Sequence, residues 1–293
     1  MITPRRSVLY MPGSNARALD KARSLPADCL LFDLEDSVAP EEKALARDQV
    51  VAAVKQGGYA PREVIIRINA LNSPWGAEDL RAAASSGADG LLLPKVDGPE
   101  GLAEVRAMLA DHGAPAELTL WAMMETPMAI IRANEIAAAA ASERNPLTVF
   151  VMGTNDLAKE TRAALAPGRA PMLSWLSTCV LAARAYGLEI IDGVFNDFAD
   201  DAGFAAECEQ GRELGMDGKT LIHPRQIEPC NLAFSPSADE VERAREIIAA
   251  FDRPENAGKG AISINGRMVE RLHADMARRT VALAEAIAAR EPS

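Results

Sequence analysis

Eight short apolar runs, most of them followed by a segment of helical patterning, constrain this chain more than any other feature of its sequence. They are Ser7 to Met11, Cys29 to Asp36, Glu63 to Asn69, Gly90 to Val96, Leu118 to Thr126, Leu147 to Asp156, Leu188 to Val194 and Gly218 to Pro224. Near-continuous apolar runs fit strands covered on both faces. Between them lie Ala-rich stretches with helical spacing, such as Glu41 to Lys55, Gly98 to His112 and Asn196 to Leu214. Strands that alternate with helices run parallel, because the crossover returns the chain to the same end of the sheet. Eight such units predict a closed (β/α)8 barrel, an α/β fold of the TIM type. The rival is an open doubly wound sheet, but no G-x-G-x-x-G follows the first strand.

Local punctuation agrees with that pattern. Gly87, Gly187 and Gly215 each end a helical segment just before a strand, where a left-handed C-cap is wanted. The segments Ser86 to Pro94 and Leu214 to Ile222 share G-x-D-G four strands apart, either a trace of repetition or a common helix-to-strand turn. Beyond Pro224 the pattern changes to a helix over Ala238 to Phe251, a Gly-containing link at Asn256 to Gly260, a short apolar run and a final helix to about Ala288. The expected division is a barrel over residues 1–230 and a helical extension over 231–293. That extension is a flap over its own site, a cover for a neighbouring subunit's site, or a packing arm.

Composition narrows the function. Aromatics are 4% of the chain, so the core must be built from Ala, Leu, Val and Ile. With 31 Lys and Arg against 42 Asp and Glu, the net charge is −11, which argues against a nucleic-acid partner. Cys29, Cys179, Cys208 and Cys230 form no C-x-x-C pair and read as reduced structural thiols. No apolar stretch reaches 18 residues and the first eight residues hold no apolar signal core, so the expectation is a cytoplasmic protein without a membrane partner.

In a parallel barrel the chemistry gathers at the C-terminal strand ends. Those ends read Tyr10 to Asn15, Asp33 to Ser37, Arg67 to Asn69, Pro94 to Val96, Met124 to Pro127, Gly153 to Leu157, Asp192 to Val194 and His223-Pro224. Carboxylates and cations closing apolar strands must be paired or bind something. Glu125 and Asp156, on adjacent strand ends, suit Mg²⁺, which takes one or two carboxylates and keeps waters. The alternative is a carboxylate pair neutralised by Arg67 or Lys95. Arg67 would present its guanidinium to a carboxylate, phosphate or enolate oxygen, or else pair with Glu35 or Asp36. His112, His223 and His273 lack zinc spacing; they read as a helix-end surface residue, a structural residue at the mouth and a tail-helix residue. No G-x-S-x-G supports a serine nucleophile.

Seven segments carry a more specific signal. R-S-V-L-Y-M-P-G-S-N, F-D-L-E-D-S-V, V-I-I-R-I-N, L-L-L-P-K-V, M-M-E-T-P, M-G-T-N-D-L and I-H-P-R-Q-I, in this order, resemble the citrate lyase β-subunit-like family of the HpcH/HpaI aldolase superfamily. The resemblance runs from about Arg6 to Glu270. It implies Mg²⁺ (or Mn²⁺) on Glu125 and Asp156, with Glu35 and Asp36 behind the metal and holding its waters. Asp36 also enters the implied catalytic set. It implies that Arg67 contacts the substrate carbonyl and that Gly153, Thr154 and Asn155, beside Glu125, bind the substrate carboxylate. Arg17 and Lys21 are implied partners of coenzyme A phosphates, with solvated helix charges as the alternative. The segment ending at Glu270 resembles the part of the family that brings a catalytic Asp over a neighbouring subunit's site. Here that position is Glu, longer by one methylene or about 1.5 Å.

The implied reaction is Mg²⁺-dependent retro-Claisen cleavage of a 3-hydroxyacyl-CoA thioester. Malyl-CoA, β-methylmalyl-CoA or citramalyl-CoA would give an acyl-CoA plus glyoxylate or pyruvate. Hydrolysis of (3S)-malyl-CoA is the alternative on the same scaffold, and a citryl-acyl-carrier lyase β subunit working in a complex is a second. The resemblance further implies a homotrimer or hexamer.

Overall fold

The computed structural model describes residues 2–290, so the last three residues of the expected extension lie outside it. The chain divides into two compact units, Arg5–Phe234 and a second made of residues 2–4 with those from Ser235 onward.

In the larger unit eight parallel strands close into a barrel in sequence order: β1 (Ser7–Pro12), β2 (Cys29–Asp33), β3 (Glu63–Arg67), β4 (Gly90–Leu93), β5 (Thr119–Met124), β6 (Leu147–Met152), β7 (Glu189–Asp192) and β8 (Gly218–Leu221). β8 closes on β1 with Ser7 opposite Lys219 and Leu9 opposite Leu221. The helices are α1 (Ala16–Lys21), α2 (Lys43–Gln56), α3 (Gly76–Ala84), α4 (Pro99–Asp111), α5 (Pro127–Ile131), α6 (Ala133–Ala138), α7 (Thr154–Thr161), α8 (Leu173–Ala185), α9 (Asp201–Glu213) and α10 (Ile227–Ala233). The eight expected strands are thus all present, and all but β1 stop short of the C-terminal ends of their apolar runs. Because α10 belongs to the barrel unit, the division falls after Phe234 rather than after residue 230.

Strand periodicity sorts the core into two shells. Val8, Cys29, Leu31, Ile65, Leu92, Trp121, Met123, Val149, Val151 and Ile191 fill the barrel interior, while their strand neighbours Leu30, Phe32, Ile66, Leu91, Leu93, Ala122, Phe150 and Ile190 pack outward beneath the helices. Both sets are apolar, which is why the sequence shows runs and not alternation. The four cysteines are free and buried, as expected of structural thiols.

At the N-terminal end of the barrel the G-x-D-G turns do one job. Gly87 and Gly215 adopt φ of 90° and 92°, and Gly187 73°, the left-handed C-caps expected of them. After them, Asp89 accepts from the Val64 backbone N–H at 2.7 Å and Asp217 from Ile190 N–H at 2.8 Å. Asp28, ahead of β2, likewise accepts from Arg6 N–H at 2.9 Å. Each carboxylate pins the start of one strand to the strand before it.

In the second unit α11 (Ala238–Phe251) and α12 (Arg271–Ala288) occupy the two expected helical segments. The short apolar run between them is a hairpin, β9 (Ala261–Ile264) antiparallel to β10 (Arg267–Glu270). Asn265 and Gly266 form its turn with φ of 49° and 76°, the positive values a tight two-residue hairpin needs. Among the described residues no helix is long and apolar enough to cross a membrane.

Candidate active site

Inward parity carries polar residues to the top of the barrel. Tyr10 continues the inward series of Val8, Asp33 that of Leu31, Arg67 that of Ile65, and Glu125 that of Met123. Four different strands therefore aim a tyrosine, an arginine and two carboxylates at one mouth. A cavity of about 310 Å³ opens there, lined by Tyr10, Asp33, Asp36, Arg67, Gly153, Thr154, Asn155, Asp156 and Asn196 among others.

Arg67 is the hub of one half. Its Nε and Nη2 grip Asp33 at 2.6 and 2.7 Å, and its Nη1 lies 2.7 Å from Glu35 and 3.4 Å from Asp36. Its guanidinium also stacks over the Tyr10 ring, 4.8 Å from the centroid. Thus Arg67 does pair with Glu35 and Asp36, as one expectation held, but its bidentate partner is Asp33. Burial works to raise the Asp33 carboxyl, yet Arg67, Ser37 and the Glu35 backbone N–H together hold it below its ordinary value. Glu35 has fewer donors, and burial pushes it up to about 7 against the pull of Arg67. Asp36 is solvent-exposed at the rim.

The loop bearing Glu35 is fixed from behind. Lys43 is 6% exposed and its ammonium donates to the Leu34 and Glu35 carbonyls and to Asn69 Oδ1 at 2.9, 2.7 and 2.8 Å. Asn69 in turn bonds Asp79, which holds Arg47. With the backbone carbonyls turned toward Lys43, the Glu35 carboxylate is left facing Arg67.

Glu125 and Asp156 form the other half. Glu125 is fully buried, and burial raises its carboxyl against the effect of Lys95. Its Oε1 accepts from Lys95 N–H at 2.8 Å, while its Oε2 is buried with no hydrogen-bond partner. Asp156 is not a strand end, as the apolar run implied. It sits in the first turn of α7, because β6 stops at Met152 and Gly153 caps the helix. The Lys95 ammonium joins the two carboxylates, 2.6 Å from Asp156 Oδ1 and 3.3 Å from Glu125 Oε1. The expected alternative of a pair neutralised by Lys95 is therefore what these side chains make.

These oxygens fit a hard divalent ion. They converge within hydrogen-bonding reach of one point, and Glu125 Oε2 needs a partner that no protein group supplies. No cluster of three or more His, Cys, Asp or Glu side chains suited to a metal occurs among the described residues. An ion here would have two protein ligands and complete its shell with water and substrate, the habit of Mg²⁺. Gly153 is part of this geometry: a Cβ there would lie 2.3 Å from Glu125 Cβ and 2.9 Å from its Oε2.

Other expected residues fall differently. Thr154 is buried and Asn155 exposed at the start of α7, where Asn155 and Asn196 exchange amide hydrogen bonds at 3.1 and 2.8 Å. Arg17 and Lys21 are exposed on α1 and do not line the mouth cavity. His223 accepts from Arg225 N–H and stacks on Phe198, a structural role at the mouth; His112 and His273 are exposed on α4's C-cap and on α12. Glu270 lies in the second unit, half-buried at the end of β10, where its backbone N–H donates to His273 Nδ1 at 2.9 Å. Asp192 was counted among the strand-end carboxylates, but it follows inward Ile191 and so faces the helices, held by Arg169 at 2.7 Å and Lys219 at 3.0 Å.

Sequence reasoning passed over Tyr10, Asp33 and Lys43. The first two were legible as inward positions at the ends of their strands. Lys43 was not, since a lysine opening a helix reads as solvated until its three acceptors are seen.

Comparison with known proteins gives the family and supports the barrel fold. Residues 6–224 match the HpcH/HpaI aldolase/citrate lyase family. The chain is 50% identical to a (3S)-malyl-CoA thioesterase of Cereibacter sphaeroides (strain KD131 / KCTC 12085), over 98% of this chain and 96% of that one. It is 38% identical to citrate lyase subunit beta of Escherichia coli (strain K12), over 98% and 95%. Among solved structures it resembles CitE from Mycobacterium tuberculosis in complex with magnesium, acetoacetate and coenzyme A, with a TM-score of 0.74 and 28% identity over 95% and 97% of the two chains. The chain belongs to the HpcH/HpaI aldolase/citrate lyase family.

Proposed function

We propose that this protein hydrolyses the thioester of (3S)-malyl-CoA or a close 3-hydroxyacyl-CoA, with Mg²⁺ held by Glu125 and Asp156. The carrying observation for the reaction is its identity with a malyl-CoA thioesterase over nearly the whole chain. That reverses the expected order, in which carbon–carbon cleavage came first. The metal reading rests on the unpartnered Glu125 Oε2, on the approach of Glu125 Oε1 and Asp156 Oδ1 to one ammonium, and on the magnesium present in the CitE complex.

When bound, the divalent ion supplies a Lewis acid that polarises substrate oxygens. The chain's own groups do the rest. Asp33 fixes the plane of Arg67, so that the guanidinium is aimed into the mouth to stabilise charge on the thioester carbonyl oxygen. The first turn of α7, whose leading N–H groups at Thr154 and Asn155 find no acceptor within a helix, receives the substrate carboxylate. Glu35, with a carboxyl near 7, is suited to hold or release a proton on the oxygen turned away from Arg67, and exposed Asp36 orders water at the rim. Arg17 and Lys21 take the coenzyme A phosphates. Glu270 directs the attacking water from a neighbouring copy in a homotrimer or hexamer. Support for such an assembly comes from Met268, Leu272 and Met276, three large apolar side chains around Glu270 that are 73, 52 and 64% exposed.

The second reading is retro-Claisen cleavage, favoured by the 38% identity to citrate lyase subunit beta. Purified protein with Mg²⁺ and malyl-CoA separates the two when free thiol and keto acid are followed independently. Hydrolysis releases thiol and malate with no glyoxylate; glyoxylate in step with acetyl-CoA would overturn the thioesterase reading. Glu125→Gln and Asp156→Asn should each abolish Mg²⁺-dependent turnover with the fold intact, and full activity in either would remove the metal assignment.

A further inference from the structure

The metal-binding reading leaves one charged group without a role. Lys95 follows β4 with its backbone in the left-handed region, at φ 52°, a conformation that a side chain bearing a Cβ disfavours. What holds it there is its own N–H, bonded to Glu125 Oε1 at 2.8 Å. The same residue thus grips Glu125 twice, once by the backbone and once by an ammonium that also lies 2.6 Å from Asp156. The side chain is 33% exposed and unbranched, so it can leave without the backbone bond breaking.

Somewhere to go is also present. A cavity of about 440 Å³ between the β3 and β4 loops is bordered by Lys95 itself, by Asp97, Glu100 and Glu104, and by Arg132, which already holds Glu100 at 2.7 Å. An ammonium turned toward it would exchange Glu125 and Asp156 for Asp97 and Glu104, the two bordering carboxylates that Arg132 does not hold. An ammonium and a divalent ion on the same oxygens, by contrast, would repel at a separation where like charges cost most.

We propose that Lys95 is the resident cation of the Glu125–Asp156 site, and that it exchanges places with the divalent metal by swinging into the adjoining acidic cavity. The ammonium keeps two close carboxylates from repelling until the metal arrives, and metal affinity is lowered by the cost of displacing it. This inference rests on the metal-site reading above.

The test is Mg²⁺ titration by calorimetry, in the absence of substrate, on wild type, Lys95→Met and Lys95→Arg. Lys95→Met should bind Mg²⁺ about tenfold or more tightly than wild type, and Lys95→Arg should stay close to wild type. Lys95→Gln replaces Lys95→Met if the latter does not fold. Unchanged or weaker binding in the neutral variants overturns the exchange while leaving the metal site standing. No Mg²⁺ binding by wild type or any variant overturns both. A second readout uses wild type alone: acylation of Lys95 by an N-hydroxysuccinimide ester, followed by mass spectrometry, should rise on adding Mg²⁺. That rise should be missing in Asp156→Asn; equal labelling with and without Mg²⁺ counts against the exchange.

Discussion

Glu35 is the residue on which solution conditions act most directly. Its carboxyl is displaced from an ordinary value of 4.5 to about 7, mainly by burial. The folded state therefore binds its proton more tightly than the unfolded state, and ionisation works against folding. This group's contribution falls as pH rises from about 4.5 to about 7, the opposite of a salt-bridged carboxylate such as Asp33. Urea unfolding of wild type and Glu35→Gln at pH 5 and pH 8 checks the sign. The variant should lose less stability between the two values, and parallel losses would mean that Glu35 does not titrate in this range. Gly153 makes a different claim, one about space. Because a Cβ there meets Glu125 at 2.3 Å, Gly153→Ala should weaken Mg²⁺ binding about tenfold with no change of charge. Calorimetry on that variant would refute the steric account by returning the wild-type affinity. Neither effect is visible in the sequence. There, Glu35 is one of several acidic residues in F-D-L-E-D-S, and only packing tells it from Asp33, two residues earlier.

At the scale of elements, the strands were legible because both faces are covered, but their ends were not. Apolar character continues past the last ladder hydrogen bond, so β6 was carried through to Asp156 when the chain turns into α7 at Gly153. The hairpin of β9 and β10 was missed although Asn265-Gly266 announces it; the flanking runs are only half-buried and show little hydrophobic contrast. The G-x-D-G repeat was seen but its purpose was not, since the acceptor role of Asp89 and Asp217 depends on strands brought together from elsewhere. Asp217→Ala removes the bond to Ile190 N–H and should cost about 1–3 kcal/mol, with catalysis retained. Asp192→Ala is a harsher change. It leaves Arg169 and Lys219, both buried, without their shared carboxylate, and urea unfolding should show a loss of about 3–5 kcal/mol. A loss under about 1 kcal/mol would mean that Glu207 alone compensates both cations.

For the whole molecule, eight alternating units were enough to give a barrel, and seven ordered motifs were enough to give the family. The balance between hydrolysis and carbon–carbon cleavage was not legible, because in the proposed reading both reactions would use the same barrel-top carboxylates and differ in what delivers the proton or water. If Glu270 serves a neighbouring copy, co-refolding inactive Glu125→Gln with impaired Glu270→Ala should restore part of the activity through mixed assemblies. Mixtures no more active than their parts would confine each site to its own chain. The four buried thiols offer one more consequence. Cys29 is inside the ring of strands, whereas Cys179, Cys208 and Cys230 lie on α8, α9 and α10 beneath the helical layer. A helix has only to lift for the latter three to meet a thiol reagent, but the ring itself must open to admit it to Cys29. The order in which these sulfurs react is thus a clock written into the fold, with its slowest hand at the centre of the barrel.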